Sequence, residues 1–416
     1  MIRFIYTLLL TLISPILLFT LYRSKPGKPP FGPRWKEHFG LTPKLENSSK
    51  APIWVHCVSV GETIAAIPFI QALKEKYPST PIVITTTTST GAQQAEKISH
   101  LAEHRYMPID LPFAIKGFIR NIQPQKMLIM ETELWPNTIY YAAKAGIKIS
   151  VINARLSQRS ANKYKKFPPI FKLLSNGIDK ILCQNSSDAE RFYQLGIHKK
   201  ALEITGSLKF DLSIDPEIIQ SGQNLRSKLG EKRPVWIAAS THDNEEEFIL
   251  AVHRTLLTYL PNALLILVPR HPERFDYVAK LCLENNFKLS RRTTQIESSH
   301  MSNIYLADTM GEMMLLIQAA DICFMGGSLI GDKVGGHNVL EPAALGKPII
   351  TGPSYYNFKE IIDMLQQINA IQIVKTQEEL LLCLLDKFQS KESPDSTLKS
   401  FIEEHSGAVK RTIKYI

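Results

Sequence analysis

From Pro52 onward the chain alternates short apolar runs with stretches whose apolar residues recur every three or four positions. The runs Ile53 to Val58, Pro81 to Thr87, Lys126 to Met130, Ile147 to Ile152 and Lys180 to Gln184 predict strands. Helical spacing follows at Ile64 to Glu75, from Gly91, and at Thr138 to Ala145. Apolar strands alternating with helices predict a parallel sheet covered on both faces. The pattern pauses between Gly206 and Arg233, a polar stretch with room for a short helix at most. It then restarts with strands at Pro234 to Ala239, Ala263 to Pro269, Ile304 to Ala307, Asp321 to Met325 and Pro348 to Thr351. Helices are expected at Glu245 to Tyr259, Arg274 to Asn285, Glu312 to Ala319, Val339 to Leu345, and from Glu378. Two doubly wound α/β halves are therefore expected, over 51–205 and 234–416, joined by a linker region at 206–233. Such sheets take their ligands just beyond the carboxyl ends of the strands.

The first residues follow a different pattern. Phe4 to Tyr22 is a run of 19 residues without a charge. As a helix it measures about 28 Å, enough to cross a hydrocarbon core. A cleaved signal peptide would have a shorter apolar stretch and a small-residue cleavage site, and no A-x-A follows this run. An uncleaved transmembrane anchor over 1–22 is the expectation. A helix lying in the interface is the third option, disfavoured because few polar residues line any face. A basic juxtamembrane segment over 23–50 follows, with Arg23, Lys25, Lys28, Arg34 and Lys36 against only Arg3 ahead of the span. That asymmetry places the rest of the chain in the cytoplasm.

Composition narrows the class. With 44% hydrophobic and 21% charged residues in 416, the chain is neither disordered nor polytopic. Its 5 cysteines are scattered, which excludes a zinc ribbon and a disulfide scaffold. The net charge of +10 favours a polyanionic partner. A second basic cluster runs through Arg155, Arg159, Lys163, Lys165 and Lys166. No nucleic-acid module is recognisable, so an anionic membrane surface or a phosphorylated substrate is the expected partner.

The loops after the strands hold the candidate chemistry. Glu62, in Ser59-Val60-Gly61-Glu62-Thr63, is either a first-turn carboxylate complementing a helix dipole or a general base. Glu131 and Glu133 end an apolar strand, where two carboxylates are costly to bury unpaired. Capping explains one of them readily. Lys209 alone reads as solvated surface. Arg270 and His271, with Arg274, suit a phosphate or carboxylate. Asp308 or Thr309 can cap the helix that follows, or its free N–H groups can receive an anion. Gly326-Gly327 and Gly335-Gly336 bracket a loop leading to His337, Asn338 and Glu341. Glycines let backbone N–H groups approach a phosphate, and Glu341 suits a ribose diol. Neither a Walker A loop nor G-x-G-x-x-G is present, which disfavours a P-loop NTPase and a dinucleotide oxidoreductase.

Taken in order, SVGET (59–63), ETELWPN (131–137), NARLSQRS (153–160), TGSLKFD (205–211), PRHPERF (269–275), DTMGEM (308–313) and GGHNVLEPAA (335–344) resemble the Kdo transferase family of lipopolysaccharide biosynthesis. The resemblance covers essentially the whole chain. It implies an α/β fold of GT-B type, with two Rossmann-like domains facing across a cleft and the last helix able to pack back on the first. It implies inverting transfer of 3-deoxy-D-manno-octulosonic acid (Kdo) from CMP-Kdo to lipid IVA at the cytoplasmic face of the inner membrane, without metal or other cofactor. By resemblance Glu62 is the general base, and Glu131 and Lys209 stabilise the transition state. Arg270, His271, Met310, Gly311, Glu312, Asn338, Val339, Leu340 and Glu341 match the nucleotide-binding segments. One departure stands out. Ile330 to Val334 makes the loop ahead of Gly335 about two residues longer than the family pattern, so its conformation and any contact from Asp332 or Lys333 are left open. Two rivals remain on the sequence. One is a GT-B glycosyltransferase using another nucleotide sugar, and the other a membrane-tethered two-domain binding protein that closes on a ligand without turnover.

Overall fold

Each half of the chain builds one parallel sheet of seven strands. The computed structural model describes residues 1–23, 29–45, 50–212, 214–294, 301–390 and 396–416. Lys25 and Lys28 of the first basic cluster lie outside the described residues. One unit comprises Met1–Asp211 with His405–Ile416, the other Leu212–Glu404.

In the first unit the strands are β1 (Ile53–His56), β2 (Ile82–Thr86), β3 (Glu103–Tyr106), β4 (Lys126–Met130), β5 (Lys148–Ala154), β6 (Lys180–Cys183) and β7 (Leu202–Ile204). They lie in the order β3-β2-β1-β4-β5-β6-β7. The order reverses between β1 and β4, where Ile53 is in register with Lys126. Side chains of β1 alternate between two buried layers. Trp54 packs on Phe118 at 4.6 Å on one face, and Val55 joins Phe69 and Ile70 on the other. The Trp54 indole donates to Thr85 Oγ1 at 2.8 Å, which satisfies the one polar atom that this ring buries.

The second unit contains β8 (Val235–Thr241), β9 (Leu264–Pro269), β10 (Leu289–Arg291), β11 (Ile304–Leu306), β12 (Ile322–Met325), β13 (Ile349–Thr351) and β14 (Ile371–Ile373). Their order is β10-β11-β9-β8-β12-β13-β14, with the reversal between β8 and β12. The two doubly wound α/β units match the expected fold class. All 5 cysteines are free and buried.

The region 206–233 differs from the sequence expectation of a short helix at most. It holds a helix of 14 residues, Pro216–Leu229, with Asp215 as N-cap, Pro216 in the first turn and Gly230 at its end. Its buried residues are only Gly222, Leu225 and Leu229, a stripe too narrow to show as periodicity. A Cβ at Gly222 would lie 2.5 Å from Gln318, so the missing side chain lets the helix sit tightly on Met313–Ala319. The helix Ala408–Ile413 belongs to the first unit. Asp211 accepts the N–H groups of Gly407, Ala408 and Val409 ahead of and within it, and Arg411 donates to the Thr205 carbonyl.

The apolar N-terminal run forms one helix, Ile2–Tyr22, with Pro15 inside it. It packs against the helices Pro136–Lys144 and Pro168–Ser175 of the first unit.

Candidate functional site

The reversal of strand order leaves a crevice at the carboxyl ends of the two central strands of each sheet. In the first unit those strands are β1 and β4, and Glu62 and Glu131 follow them directly. Glu62 sits in the first turn of Val60–Lys76, whose N-cap is Ser59. The Glu62 N–H donates to Ser59 Oγ at 3.2 Å, and the Ser59 hydroxyl donates back to Glu62 Oε1 at 2.9 Å. Val58 N–H donates to Oε2 at 2.8 Å. This is a variant of the capping box, with the backbone bond coming from Val58 rather than from the N-cap Ser59, so the bland reading of Glu62 describes its contacts. It does not exhaust them. Burial pushes the Glu62 carboxyl up to about 7, and the nearby Glu131 and Glu133 add to the rise, against the hydrogen bonds from Val58 and Ser59. A carboxyl poised near neutrality is suited to take a proton.

Glu131 has φ +54°, a left-handed conformation that turns the chain sharply out of β4. Its N–H is held by the Ile152 carbonyl at 2.9 Å. Lys209, on the short turn Leu208–Phe210 beyond β7, places Nζ 3.3 Å from Glu131 Oε1. The turn is tied down where Leu208 N–H donates to Asn153 Oδ1 at 3.0 Å. Lys209 is thus no plain surface lysine. His56, at the end of β1, is fully buried, donates to or accepts from Thr85 Oγ1 at 3.0 Å, and is driven down to about 4 by burial. It is a neutral support beneath this corner, and its edge meets Trp135 at 5.3 Å.

In the second unit β8 and β12 flank the reversal. Gly326-Gly327-Ser328 follows β12, and a loop leading to Glu245 follows β8. Glu245 Oε2 accepts from His242 N–H at 3.0 Å and Gly327 N–H at 2.7 Å, while Oε1 accepts from Ser328 and Leu329, each at 2.9 Å. His242 and His337 lie end to end with nearly parallel rings, their Nε2 atoms 2.8 Å apart, and His242 meets His271 edge-on at 5.1 Å. Burial drives His242 down to about 4 and His337 to about 3, and neighbouring Arg270 and His271 push the same way. Both rings are therefore neutral near pH 7, and one N–H joins the pair. Arg270 is exposed beside them, its own N–H held by the Thr241 carbonyl at 2.9 Å.

His242 and Glu245 escaped the sequence reading. The signal was available, since Ser240-Thr241-His242 is the loop after the first strand of the second half, where function is expected. Glu312 does not stand free for a ligand. It pairs with Arg292, with Nε to Oε2 at 2.6 Å, and this partner lowers its pKa. Neither Asp308 nor Thr309 caps the following helix; the N-cap of Met313–Ala319 is Glu312. Asp308 instead accepts from Thr293 N–H at 3.0 Å, Thr293 Oγ1 at 2.6 Å and Arg291 Nε at 2.7 Å. Gly311 has φ +86° and open space around it, and Met310 is exposed. Val339 and Leu340 are buried in the core, backbone included, so neither stands open to a ligand. Asn338 Nδ2 donates to Glu341 Oε1 at 3.2 Å, and its Oδ1 accepts from Leu340 N–H at 3.1 Å. The longer loop forms a turn, Gly331–Lys333, fastened by Tyr356 OH to the Asp332 carbonyl at 3.0 Å and by Asn357 Nδ2 to the Val334 carbonyl at 2.7 Å.

Comparison with known proteins matches the chain to a family. Residues 33–212 fit the model of 3-deoxy-D-manno-octulosonic-acid transferases, and residues 232–404 that of glycosyl transferases group 1. The chain is 38% identical to a 3-deoxy-D-manno-octulosonic acid transferase of Haemophilus influenzae, over 99% of this chain and 97% of that protein. A protein of the same description from Bordetella pertussis is 31% identical over 99% of this chain and 98% of its own. Among solved structures, a putative UDP-N-acetylglucosamine 2-epimerase from Listeria monocytogenes superposes with TM-score 0.56 at 15% identity, covering 88% of this chain and 95% of that one. That likeness concerns the fold alone. The identities across nearly the full length decide the family: this chain belongs to the 3-deoxy-D-manno-octulosonic acid transferases.

Proposed function

We propose that the chain transfers Kdo from CMP-Kdo to lipid IVA with inversion at the anomeric carbon, at the cytoplasmic face of the inner membrane. The observation that carries this reading is Glu62, a buried carboxyl held at about 7 beside the Glu131–Lys209 pair, in a chain of the Kdo transferase family. In the proposed step an acceptor hydroxyl attacks the anomeric carbon of Kdo. The new C–O bond forms as the bond to the CMP phosphate breaks. The hydroxyl proton passes to Glu62, and the electron pair of the broken bond leaves on the phosphate. General-base help of this kind contributes about 10²–10⁴-fold.

Charge develops in two places. On the leaving phosphate, negative charge suits Arg270 and the backbone N–H groups near Gly311. Side chains and backbone meeting that charge is the basis for proposing a metal-independent transfer. On the sugar, positive character suits Glu131, and Lys209 suits the Kdo carboxylate. The Asn338–Glu341 pair, with Glu341 raised by burial, is assigned to the nucleoside. The basic residues Arg159, Lys163, Lys165 and Lys166 are assigned to the phosphorylated acceptor or the anionic surface that carries it, each contributing about 1 kcal/mol near such a leaflet.

The test is an assay with lipid IVA and CMP-Kdo generated in situ, read by mass spectrometry, for wild type and Glu62→Gln. The expected result is product from wild type and near-complete loss in a variant that still binds CMP. No product from membrane-reconstituted wild type would overturn the reading. Inhibition by UDP but not by CMP would reassign the donor.

A further inference from the structure

The helix Ile2–Tyr22 turns five of its seven polar side chains inward. Arg3, Tyr6, Thr7, Ser14 and Tyr22 are shielded against the first unit. The opposite face carries Phe4, Leu8, Leu12, Ile16 and Phe19, between 52% and 73% exposed. A surface helix in water has the reverse arrangement. The exposed Thr11 and Thr20 hydroxyls donate to the carbonyls of Thr7 and Ile16 at 2.7 and 2.9 Å. The outward face therefore presents no unmet hydroxyl donor, which hydrocarbon would penalise.

Both ends of this helix are fastened to the same folded unit. At the start, Tyr6 OH donates to Asp110 Oδ2 at 2.9 Å, Asn137 Nδ2 donates to Thr7 Oγ1 at 3.0 Å, and the Arg3 guanidinium lies 3.4 Å over the Tyr140 ring. At the end, Tyr22 OH lies 2.8 Å from His38 Nδ1, and its ring meets Phe31 at 5.3 Å. A helix of 21 residues is about 30 Å long, the thickness of the hydrocarbon core. Were it to cross, its two ends would lie on opposite sides, and one set of these contacts would be lost. Asp110 cannot follow the helix, because it also receives the N–H groups of Asn137 and Thr138 at the start of Pro136–Lys144.

We infer that this helix lies in the plane of the membrane interface, apolar face towards the acyl chains, and that the chain enters one leaflet without crossing the bilayer. The neighbouring surface continues the same chemistry. The helix Pro168–Ser175, which packs against it, is led by exposed Phe167 and carries exposed Ile170. Exposed Lys165, Lys166 and Lys172 border these residues. Near the other end Trp35, 43% exposed, offers its carbonyl to Tyr22 OH at 3.4 Å. Exposed aromatic side chains bordered by lysines suit the headgroup layer of an anionic leaflet. The inference rests on the membrane location proposed above, which the flotation arm below tests separately.

The chain's own cysteines are buried, so single cysteines can be added as reporters at Ile2→Cys and, in the folded unit, Lys199→Cys. An impermeant maleimide is expected to label neither in intact spheroplasts and both after permeabilisation. Labelling of Ile2→Cys in intact spheroplasts overturns the in-plane helix. In the second arm the full-length protein floats with vesicles of phosphatidylglycerol and phosphatidylethanolamine. Leu8→Glu/Leu12→Glu is expected to lower the floated fraction about tenfold while CMP binding persists. Lys165→Glu/Lys166→Glu is expected to lower it on anionic vesicles only. Wild type that fails to float overturns the membrane location itself. Wild type and the double glutamate variant floating equally overturn the in-plane helix alone.

Discussion

Glu245 accepts the backbone N–H of Gly327 at 2.7 Å across the strand reversal of the second sheet. One carboxylate from the helix after β8 thereby fixes the glycine loop after β12. It takes four N–H groups in all, from His242, Gly327, Ser328 and Leu329. Glu245→Ala would orphan these donors, several of them buried. The expected cost is about 3–5 kcal/mol, as when a buried charged partner is removed. Glu245→Gln, with one acceptor oxygen in place of two, should fall between. Urea unfolding monitored by tryptophan fluorescence measures both, and CMP affinity should drop in parallel because the loop loses its brace.

The Glu62 carboxyl links pH to rate and to stability with opposite signs. As the proposed base it must be ionised, so kcat/KM should rise with pH through about 7 on its acidic limb. Folding favours the protonated form, because the folded-state value of about 7 exceeds the ordinary 4.5. The stability this contributes is fully present below pH 4.5 and is lost as pH rises through 7. Glu62→Gln should abolish the kinetic limb and flatten that part of the stability profile. A limb that persists in Glu62→Gln would assign the titration to another group.

The central strands were legible in the sequence and the edges were not. Ile53–His56, Ile82–Thr86, Lys126–Met130 and Leu264–Pro269 are almost wholly buried between helices, so they read as unbroken apolar runs. The four edge strands Glu103–Tyr106, Leu202–Ile204, Leu289–Arg291 and Ile371–Ile373 are short and part-exposed, and their polar residues hide them. For the site, the loops were legible because the strands before them were. What the sequence could not carry was partnership. Glu131 and Lys209 come from distant segments, and only the fold shows that they meet. The same holds for His242 with His337, and for Glu312, whose pairing with Arg292 turns a candidate ligand into a brace.

The Glu131–Lys209 pair should matter far more for rate than for stability. Both side chains are about a quarter exposed, so the ion pair contributes at most about 1 kcal/mol to folding. If the two groups act together on one transition state, Glu131→Gln and Lys209→Met should each lower kcat by about 10²–10³-fold. The double variant should then lose little more than either single one. Steady-state kinetics of the four proteins measures this. Losses that multiply fully would mean that the two residues act on separate events.

The longer loop ahead of Gly335 offers a contrast between two glycines. Gly331 and Gly335 both have left-handed backbones, at φ +64° and +81°. At Gly331 a Cβ would meet nothing within 4 Å, whereas a Cβ on Gly335 would sit 2.4 Å from Cζ of Tyr356. Gly331→Ala therefore carries backbone strain alone, about 1–2 kcal/mol, and should leave CMP affinity nearly intact. Gly335→Ala carries the same strain and also drives the Tyr356 ring aside. That movement breaks the hydrogen bond from Tyr356 OH to the Asp332 carbonyl and disturbs the Asn357 N–H bond to the Gly335 carbonyl at 3.1 Å. Gly336 donates its own N–H to the Gly327 carbonyl at 2.8 Å, so the disturbance reaches the loop that Glu245 holds. Isothermal titration with CMP should show at least about tenfold weaker binding for Gly335→Ala than for Gly331→Ala, since about 1.4 kcal/mol of transmitted strain suffices for that ratio. Equal affinities for the two variants would mean that the turn and the loop proposed to bind the nucleotide are mechanically independent.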